Sequence, residues 1–239
     1  AAVDIRYAGL ENLGRTTIGS LNNTSIDGSG NVASIGSNQI GRYSIHLHHV
    51  MGPVNETNTG NQFTLVGNVI EGMLKWGLAV HDSHYGLVKD NIAYDGQGSA
   101  ITTEDGNESF NVFERNFVVH TKAGDQEQVL ESPKRGGVFS GRKLFGTTRD
   151  GFWFSGMNNF LRDNVVANAP DFAYNYNGYY LSQDQPIPNF RGANMETDST
   201  IQTALPVLES ARNEAYGATG QGLWATWSKG CCNVGLNKE

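Results

Sequence analysis

Short apolar runs recur along most of the chain, and residues that favour turns (Gly, Asn and Asp) separate them. In several runs apolar and polar positions alternate, as in 43–48, 76–81 and 99–104. Alternation with a period of two is typical of a strand that buries one face, and no helical period connects the runs. The pattern predicts an all-β protein built from many short strands.

An Asn followed by an apolar pair marks a repeat, at Asn68, Asn91, Asn116 and Asn164. The intervals are 23, 25 and 48 residues, and 48 is twice 24. Several short strands in each repeat of about two dozen residues indicate the coils of a parallel β-helix. A β-sandwich needs hairpin turns, which are nearly absent, and propeller blades usually exceed about 40 residues. We therefore predict a solenoid with the four Asn side chains stacked as a ladder at one corner.

The repeat becomes irregular from about residue 181. We predict one β-helix domain over residues 1–239, with coils of about 24 residues and insertion loops near 121–150 and 181–200. One short helix is expected near 200–214, where Leu205, Leu208 and Ala211 share a face.

The composition fits this fold and excludes several classes of protein. The 239 residues include 30 Gly, and charged residues make up 17%, against about a quarter in typical globular domains. These values exclude a coiled coil, a helical bundle and a charged disordered chain. The net charge of −7 argues against nucleic-acid binding, and no apolar run reaches the roughly 20 residues of a membrane span. Residues 121–150 hold six of the 17 basic side chains, which indicates either an anion-binding surface or a solvated loop.

The histidines all lie between residues 46 and 120. With the coils aligned by their corner Asn, His81 lies 13 residues after Asn68, and Glu104 lies 13 residues after Asn91. We therefore expect His81 and Glu104 at equivalent positions on adjacent coils, with backbones about 4.8 Å apart. Strand alternation directs both side chains to one outward face.

Alternation along the strand at 43–48 directs His46 and His48 outward on the same face. The predicted cluster thus joins three imidazoles and one carboxylate from three successive coils. Two further carboxylates, Asp82 and Asp105, follow the strands where the chain turns.

Such a cluster supports three kinds of chemistry. Stacked carboxylates such as Asp82 and Asp105 can act as acid and nucleophile in glycoside hydrolysis. A His or Lys base beside a cation can instead eliminate across a uronate. The third kind is binding of a transition metal, and its candidate ligands are His46, His48, His81 and Glu104.

A single exposed histidine is usually only solvated, and we interpret His84 and His120 as turn or packing residues.

Other residues suggest contacts with a sugar. Trp153 is expected to point outward, and an exposed ring suits the apolar face of a sugar. The four tyrosines between 174 and 180 either share this role or pack beneath a loop. Arg42 and Lys122 are candidate partners of substrate carboxylates.

The motifs at 41–48 and 80–86 resemble those of a known family. Gly-Arg-Tyr-Ser-Ile-His-Leu-His at 41–48 resembles Gly-Arg-Tyr-Pro-Ile-His-Phe-His of cell-migration-inducing hyaluronan-binding protein, its transmembrane relative and fibrocystin. Val-His-Asp-Ser-His-Tyr-Gly at 80–86 is similar to their next motif, Ile-His-Gly-Thr-His-Gly, with one extra residue. The likeness covers about 38–225. Ser44 replaces the motif's proline, and Ser99 stands where many members have His.

The resemblance implies a right-handed parallel β-helix, either an excerpt of a longer protein or a shortened member. It also implies extracellular or cell-surface work on glycosaminoglycans, with hyaluronan depolymerisation as the best-known activity. The predicted function is cleavage of an acidic glycan by a hydrolase or lyase, with Zn²⁺ or Ca²⁺ as a candidate cofactor. The alternatives are a non-catalytic carbohydrate-binding or adhesive solenoid, which Ser99 supports, and a purely structural segment of a surface protein. The candidate catalytic residues are His81, Glu104, Asp105 and Asp82.

Overall fold

The computed structural model describes residues 3–14, 22–39, 41–50, 60–104, 106–122, 149–178, 187–188, 195–196 and 207–227. Every regular element in these ranges is a β-strand, so the predicted all-β class is confirmed. No helix within them is suited to crossing a membrane.

Three parallel sheets contain most of the strands. The first sheet contains β1 (Val3–Arg6), β6 (Phe63–Val66), β9 (Gly86–Lys89), β12 (Val112–Glu114), β15 (Phe160–Arg162) and β20 (Glu209–Ala211). The second contains β2 (Gly9–Glu11), β7 (Val69–Glu71), β10 (Ile92–Gln97), β13 (Phe117–Lys122), β16 (Val165–Ala167) and β21 (Glu214–Tyr216). The third contains β5 (Ile45–His48), β8 (Leu78–His81), β11 (Ile101–Thr103), β14 (Phe152–Phe154), β17 (Phe172–Gly178) and β22 (Gln221–Trp227). Two antiparallel pairs lie outside these sheets: β3 (Ser25–Ile26) with β4 (Val32–Ser34), and β18 (Ile187–Pro188) with β19 (Met195–Glu196).

Each coil contributes one strand to each of the three sheets, and within the described ranges the six strands of every sheet mark six coils. Strands that follow one another in a sheet belong to successive coils and pair in parallel, because the chain travels through the other two sheets between them. The predicted right-handed parallel β-helix is confirmed.

One continuous apolar core fills the solenoid. Alternate residues of the three sheets point into it, and burying each large apolar side chain stabilises the fold by about 1.5–3 kcal/mol. Side chains with no measurable exposure include Phe63, Leu65, Leu78, Val88, Phe113, Phe152 and Leu161.

The Asn ladder lies at the corner between the first and second sheets. Each side chain donates from Nδ2 to Oδ1 of the next: Asn68 to Asn91 and Asn91 to Asn116 at 2.9 Å, and Asn116 to Asn164 at 3.0 Å. Asn213 extends the predicted ladder by one coil, since Asn164 donates to it at 2.9 Å. Each acceptor Oδ1 also takes the backbone N–H of the preceding Asn, which fixes the coils in register.

The interval of 48 residues is one coil and not two, because Asn116 and Asn164 are hydrogen-bonded neighbours. The additional residues enter between the second and third sheets, after β13 ends at Lys122 and before β14 begins at Phe152. An insertion at a corner lengthens the sequence interval without adding a strand to any of the three sheets. Most of the predicted loop at 121–150, namely 123–148, lies outside the described residues, as does most of 181–200.

The helix expected near 200–214 is absent from the described residues 207–214, which form β20, a turn and the start of β21. Glu209 and Ser210 pair with Phe160 and Leu161 of β15. Pairing along an existing sheet edge satisfies the backbone, so it outweighs the weak helical spacing of Leu208 and Ala211. Leu205 lies outside the described residues.

Candidate functional site

The histidine–carboxylate cluster lies at the carboxyl end of the third sheet. His48 of β5 pairs with His81 of β8. Glu104 comes next, because its backbone N–H donates to the Val80 carbonyl at 3.1 Å. Three successive coils therefore present His48, His81 and Glu104 in one column, which is the arrangement that the 13-residue offset predicts.

His81 lies at the centre of the cluster and is 5% exposed. Its Nδ1 lies 3.2 Å from Oε2 of Glu104, and its Nε2 lies 3.4 Å from Oδ2 of Asp82. One imidazole therefore contacts a carboxylate through each of its two nitrogens.

His46 flanks this centre on the sheet. Its Nδ1 lies 2.9 Å from the Gly41 carbonyl oxygen, and its Nε2 lies 4.0 Å from Oε2 of Glu104. The ring stacks against that of His81, with centroids 5.7 Å apart. Within the described part of the chain, Nε2 of His46 is buried without a hydrogen-bond partner.

His49 is a member of the cluster that the sequence analysis missed. Its Nε2 lies 3.3 Å from Oδ2 of Asp82. Both residues directly follow a strand and have a positive φ, 60° for His49 and 45° for Asp82. The available signal was the strand alignment itself, because His49 follows His48 as Asp82 follows His81.

Glu108 was also missed as a site residue, and it holds the turns that carry the cluster. Its carboxylate is fully buried and accepts backbone N–H groups from Asp82 and Glu104 at 3.2 Å each, and from Gly106 at 3.0 Å. Gly156 packs so closely on this carboxylate that a Cβ there would overlap it. The two bonds from Glu104 and Gly106 are local, but the bond from Asp82 and the packing of Gly156 come from neighbouring coils, which no local sequence pattern signals.

Burial and neighbouring charges set the protonation of the cluster. Burial lowers the pKa of His46 below its ordinary value, and burial together with His81 and His49 lowers that of His48. Burial alone would raise the pKa of Asp82, but contacts with His81, Asn107 and His49 outweigh it, so that pKa is lowered. Near neutral pH, His46 and His48 are therefore neutral bases beside a charged Asp82 carboxylate.

Among the residues that the structure describes, two sets of side chains have ligand atoms close enough to share one metal ion, and both sets contain His81. The members of each set have one ligand atom apiece within 4.8 Å of the others: His46, His48 and His81; and His49, His81 and Asp82.

Other predicted site residues lie elsewhere or outside the described residues. Asp105 is among the residues that are not described. Arg42 is half-buried and precedes β5. Lys122 ends β13 in the second sheet and pairs with Asp95, which also contacts His120 at 2.8 Å. The structure thus places Lys122 in a different polar group from His81.

The prediction of an exposed ring at Trp153 was wrong, because this side chain is only 2% exposed. It points away from the main core but stacks on Trp76, with centroids 6.0 Å apart, over the small side chain of Ala79. Tyr43 continues this aromatic layer, 4.7 Å from Trp76 and 4.8 Å from His46. These three aromatic side chains therefore cover the outward face of the third sheet beside the cluster.

Of the remaining aromatic and basic candidates, some are buried and others are not described. Tyr174 and Tyr176 belong to the main core and are not exposed to a ligand, whereas Tyr179 and Tyr180 are not described. His84 is fully buried and accepts the Ser109 N–H at Nδ1 (3.1 Å), as a packing residue would. Four of the basic residues of 121–150 are also not described: Lys134, Arg135, Arg142 and Lys143.

A family model described as CEMIP beta-helix matches residues 18–223. The chain belongs to the CEMIP beta-helix family. This CEMIP beta-helix chain is 27% identical to Fibrocystin-L of Mus musculus over 190 residues and 28% identical to Fibrocystin-L of Homo sapiens over 189 residues. Each alignment covers 78% of this chain, but the chain spans only about 4% of the length of these curated relatives. No solved structure matches it.

Proposed function

We propose that this chain is an extracellular or cell-surface β-helix that cleaves an acidic glycan such as hyaluronan at the histidine–carboxylate cluster. The observation that carries the proposal is His81, which contacts Asp82 and Glu104 through opposite nitrogens in a cluster that holds three further imidazoles. Membership of the CEMIP beta-helix family supports a hyaluronan-related or adhesive role.

A proton can be held and moved among these groups. An imidazole between two carboxylates can accept a proton at one nitrogen while the other stays bound, and a carboxyl group at hydrogen-bond distance can donate or accept it. His81, Asp82 and Glu104 are therefore the proposed acid and base groups, with Asp105 as a fourth candidate next to Glu104. Hydrolysis and elimination both use such groups.

The charge of the cluster supports a cation as part of the site. Asp82 and Glu104 carry carboxylates, and so does each uronate of an acidic glycan. Without a cation, the cluster and the glycan therefore repel each other. A divalent ion reverses the local charge and can bind the substrate carboxylate. We propose Zn²⁺ or Ca²⁺ as this cofactor, and the half-buried Arg42 as a further contact for the glycan.

A non-catalytic glycan-binding or adhesive solenoid is the second candidate. It is supported by Ser99, a fully buried side chain at the position of a family histidine, which leaves the third coil without an imidazole there.

The deciding experiment incubates the chain with hyaluronan, chondroitin, alginate and pectin, with and without divalent ions. Shorter products with the ultraviolet absorbance of an unsaturated uronate establish a lyase, and shorter products without it establish a hydrolase. His81→Ala and Glu104→Ala are expected to abolish either activity. Retention on a glycan column without cleavage would overturn the enzyme proposal and establish the binding solenoid.

A further inference from the structure

The tautomer of His46 follows from its hydrogen bond. A carbonyl oxygen only accepts, so the contact with Gly41 at 2.9 Å requires the proton on Nδ1. The lone pair then lies on Nε2, which is buried without a hydrogen bond to the described residues. Metal-ligating histidines typically donate their other N–H to a carbonyl or carboxylate in this way, so His46 is oriented as a ligand of the competing set with His48 and His81.

His81 presents its two nitrogens to two carboxylates, Nδ1 to Oε2 of Glu104 at 3.2 Å and Nε2 to Oδ2 of Asp82 at 3.4 Å. When Nε2 binds a metal ion, the proton of the neutral ring lies on Nδ1 and points toward Glu104. A carboxylate, a histidine and a metal in sequence form the usual outer support of a metal site. Glu104 therefore orients His81.

The Nε2 atoms of His81 and His49 converge on one oxygen, Oδ2 of Asp82, at 3.4 and 3.3 Å. Two imidazole nitrogens and a carboxylate oxygen gathered at one point can share a single cation as its ligands. Ligands about 2.0–2.1 Å from Zn²⁺ at tetrahedral angles lie about 3.3 Å from one another. Both separations match that value.

From these contacts we propose a transition-metal centre of the Zn²⁺ class ligated by His49, His81 and Asp82, with Glu104 as the positioning residue of His81. The proposal rests on the proposed function and deepens it by assigning the cofactor and its ligands. With the ion bound, His81 and Asp82 act as its ligands and not as the acid and base groups. Two imidazoles with one carboxylate are typical of transition-metal sites that keep a position open for water or substrate, whereas Ca²⁺ takes six to eight oxygen ligands. The centre differs from the sequence-based set of His46, His48, His81 and Glu104, because His81 is the one member that the two sets share.

Metal binding is tested directly on the chain after treatment with a chelator. Titration calorimetry with Zn²⁺ and visible absorption spectra with Co²⁺ are expected to show one site, and Ca²⁺ is expected not to compete. His49→Ala and Asp82→Asn should weaken Zn²⁺ binding at least about 100-fold, and Glu104→Gln about 10- to 100-fold. His120→Ala, a matched histidine beside a carboxylate in another sheet, should bind as the parent chain does.

Binding of Zn²⁺ no tighter than that of Ca²⁺ overturns the proposal. Unchanged binding in His49→Ala, with loss in His46→Ala, moves the centre to the other set and also overturns it. Glycan cleavage that persists without Zn²⁺ binding overturns this inference but leaves the proposed function standing. Zn²⁺ binding without any action on glycans would support this inference and overturn the proposed function.

Discussion

Two columns of polar side chains run along this solenoid, and they differ in how fully their buried groups are hydrogen-bonded. In the Asn ladder, each central amide donates two hydrogen bonds and accepts two, as Asn91 does with Leu65, Asn116 and Asn68. In the histidine–carboxylate cluster, Nε2 of His46 is buried with no such bond in the described residues, and His81 and Asp82 meet at 3.4 Å.

The difference separates a structural from a functional use of polar groups. A saturated network stabilises a fold because no buried donor or acceptor is left without a partner. Side chains whose donors and acceptors are not saturated cost stability and are retained where a ligand completes them. Substitutions in each column test whether the two columns differ in this way.

The largest expected effect is in the ladder. Asn91→Ala removes four hydrogen bonds. It takes the acceptor of the Asn68 backbone N–H, and the Leu65 carbonyl, Nδ2 of Asn68 and Oδ1 of Asn116 each lose one partner. At about 1–3 kcal/mol for each such group, we expect the free energy of unfolding to fall by about 3–5 kcal/mol in a urea titration. Asn31→Ala in the exposed β3–β4 turn is the control and should change it by less than about 0.5 kcal/mol. Equal losses would contradict a structural role of the ladder.

Acid is expected to destabilise the chain because of His84, which lies two residues after Asp82 in the sequence. Burial lowers the pKa of His84 to about 4, from an ordinary 6.5. The unfolded chain thus binds a proton between these values that the folded chain does not, and stability falls as the pH falls through this window. The loss should reach about 3 kcal/mol near pH 4.

The measurement is the unfolding temperature from pH 7 to pH 4, with His84→Gln as a variant that cannot titrate. The variant should show a flatter profile even where it is less stable at pH 7. The contribution of Asp82 is distinct, because a lowered carboxyl pKa stabilises above its ordinary value and is lost only at lower pH. A profile in His84→Gln as steep as that of the parent would exclude this source of acid sensitivity.

A smaller effect is expected at Glu108. Its carboxylate accepts three backbone hydrogen bonds, as a structural group does, and it also holds the turns that carry the cluster. Glu108→Gln replaces one acceptor oxygen by an NH₂ group that faces a backbone donor, from Asp82, Glu104 or Gly106. We expect a loss of about 2 kcal/mol in unfolding free energy together with weaker Zn²⁺ affinity. Loss of stability with unchanged Zn²⁺ affinity would show that Glu108 does not position the cluster.

The smallest effect is expected at an exposed column of charges next to the ladder. Arg115 binds Asp90 through two hydrogen bonds of 2.8 Å each, but its side chain is 53% exposed. Arg115→Ala should lower the unfolding free energy by less than about 1 kcal/mol, and high salt should reduce this difference. A loss as large as that of Asn91→Ala would mean that saturation of buried groups is not what distinguishes the ladder.

Much of the fold was predictable because its signals are local and periodic. The spacing of Asn68, Asn91 and Asn116 reports the coil length directly, and the same offset brings His81 beside Glu104. The interval from Asn116 to Asn164 was misread, because an insertion adds residues without leaving a period of its own.

The site was less predictable than the fold, because strand alternation gives a direction only within a strand. His49 lies in the turn after β5, where a positive φ redirects its side chain toward Asp82. The burial of Trp153 depends on Trp76, which belongs to a different coil, and the hydrogen bond from Asp82 to Glu108 likewise joins two coils. These features depend on contacts between coils, and sequence periodicity does not describe them.

The most direct test of the central claim measures hyaluronan binding and cleavage alongside thermal unfolding for a His46→Ala/His81→Ala double variant. His120→Ala serves as the control, since it removes a histidine from the second sheet. We predict that the double variant unfolds within a few degrees of the parent temperature but neither binds nor cleaves hyaluronan, while the control does both. A folded double variant that binds and cleaves hyaluronan as the parent does would contradict the assignment of this cluster as the functional site.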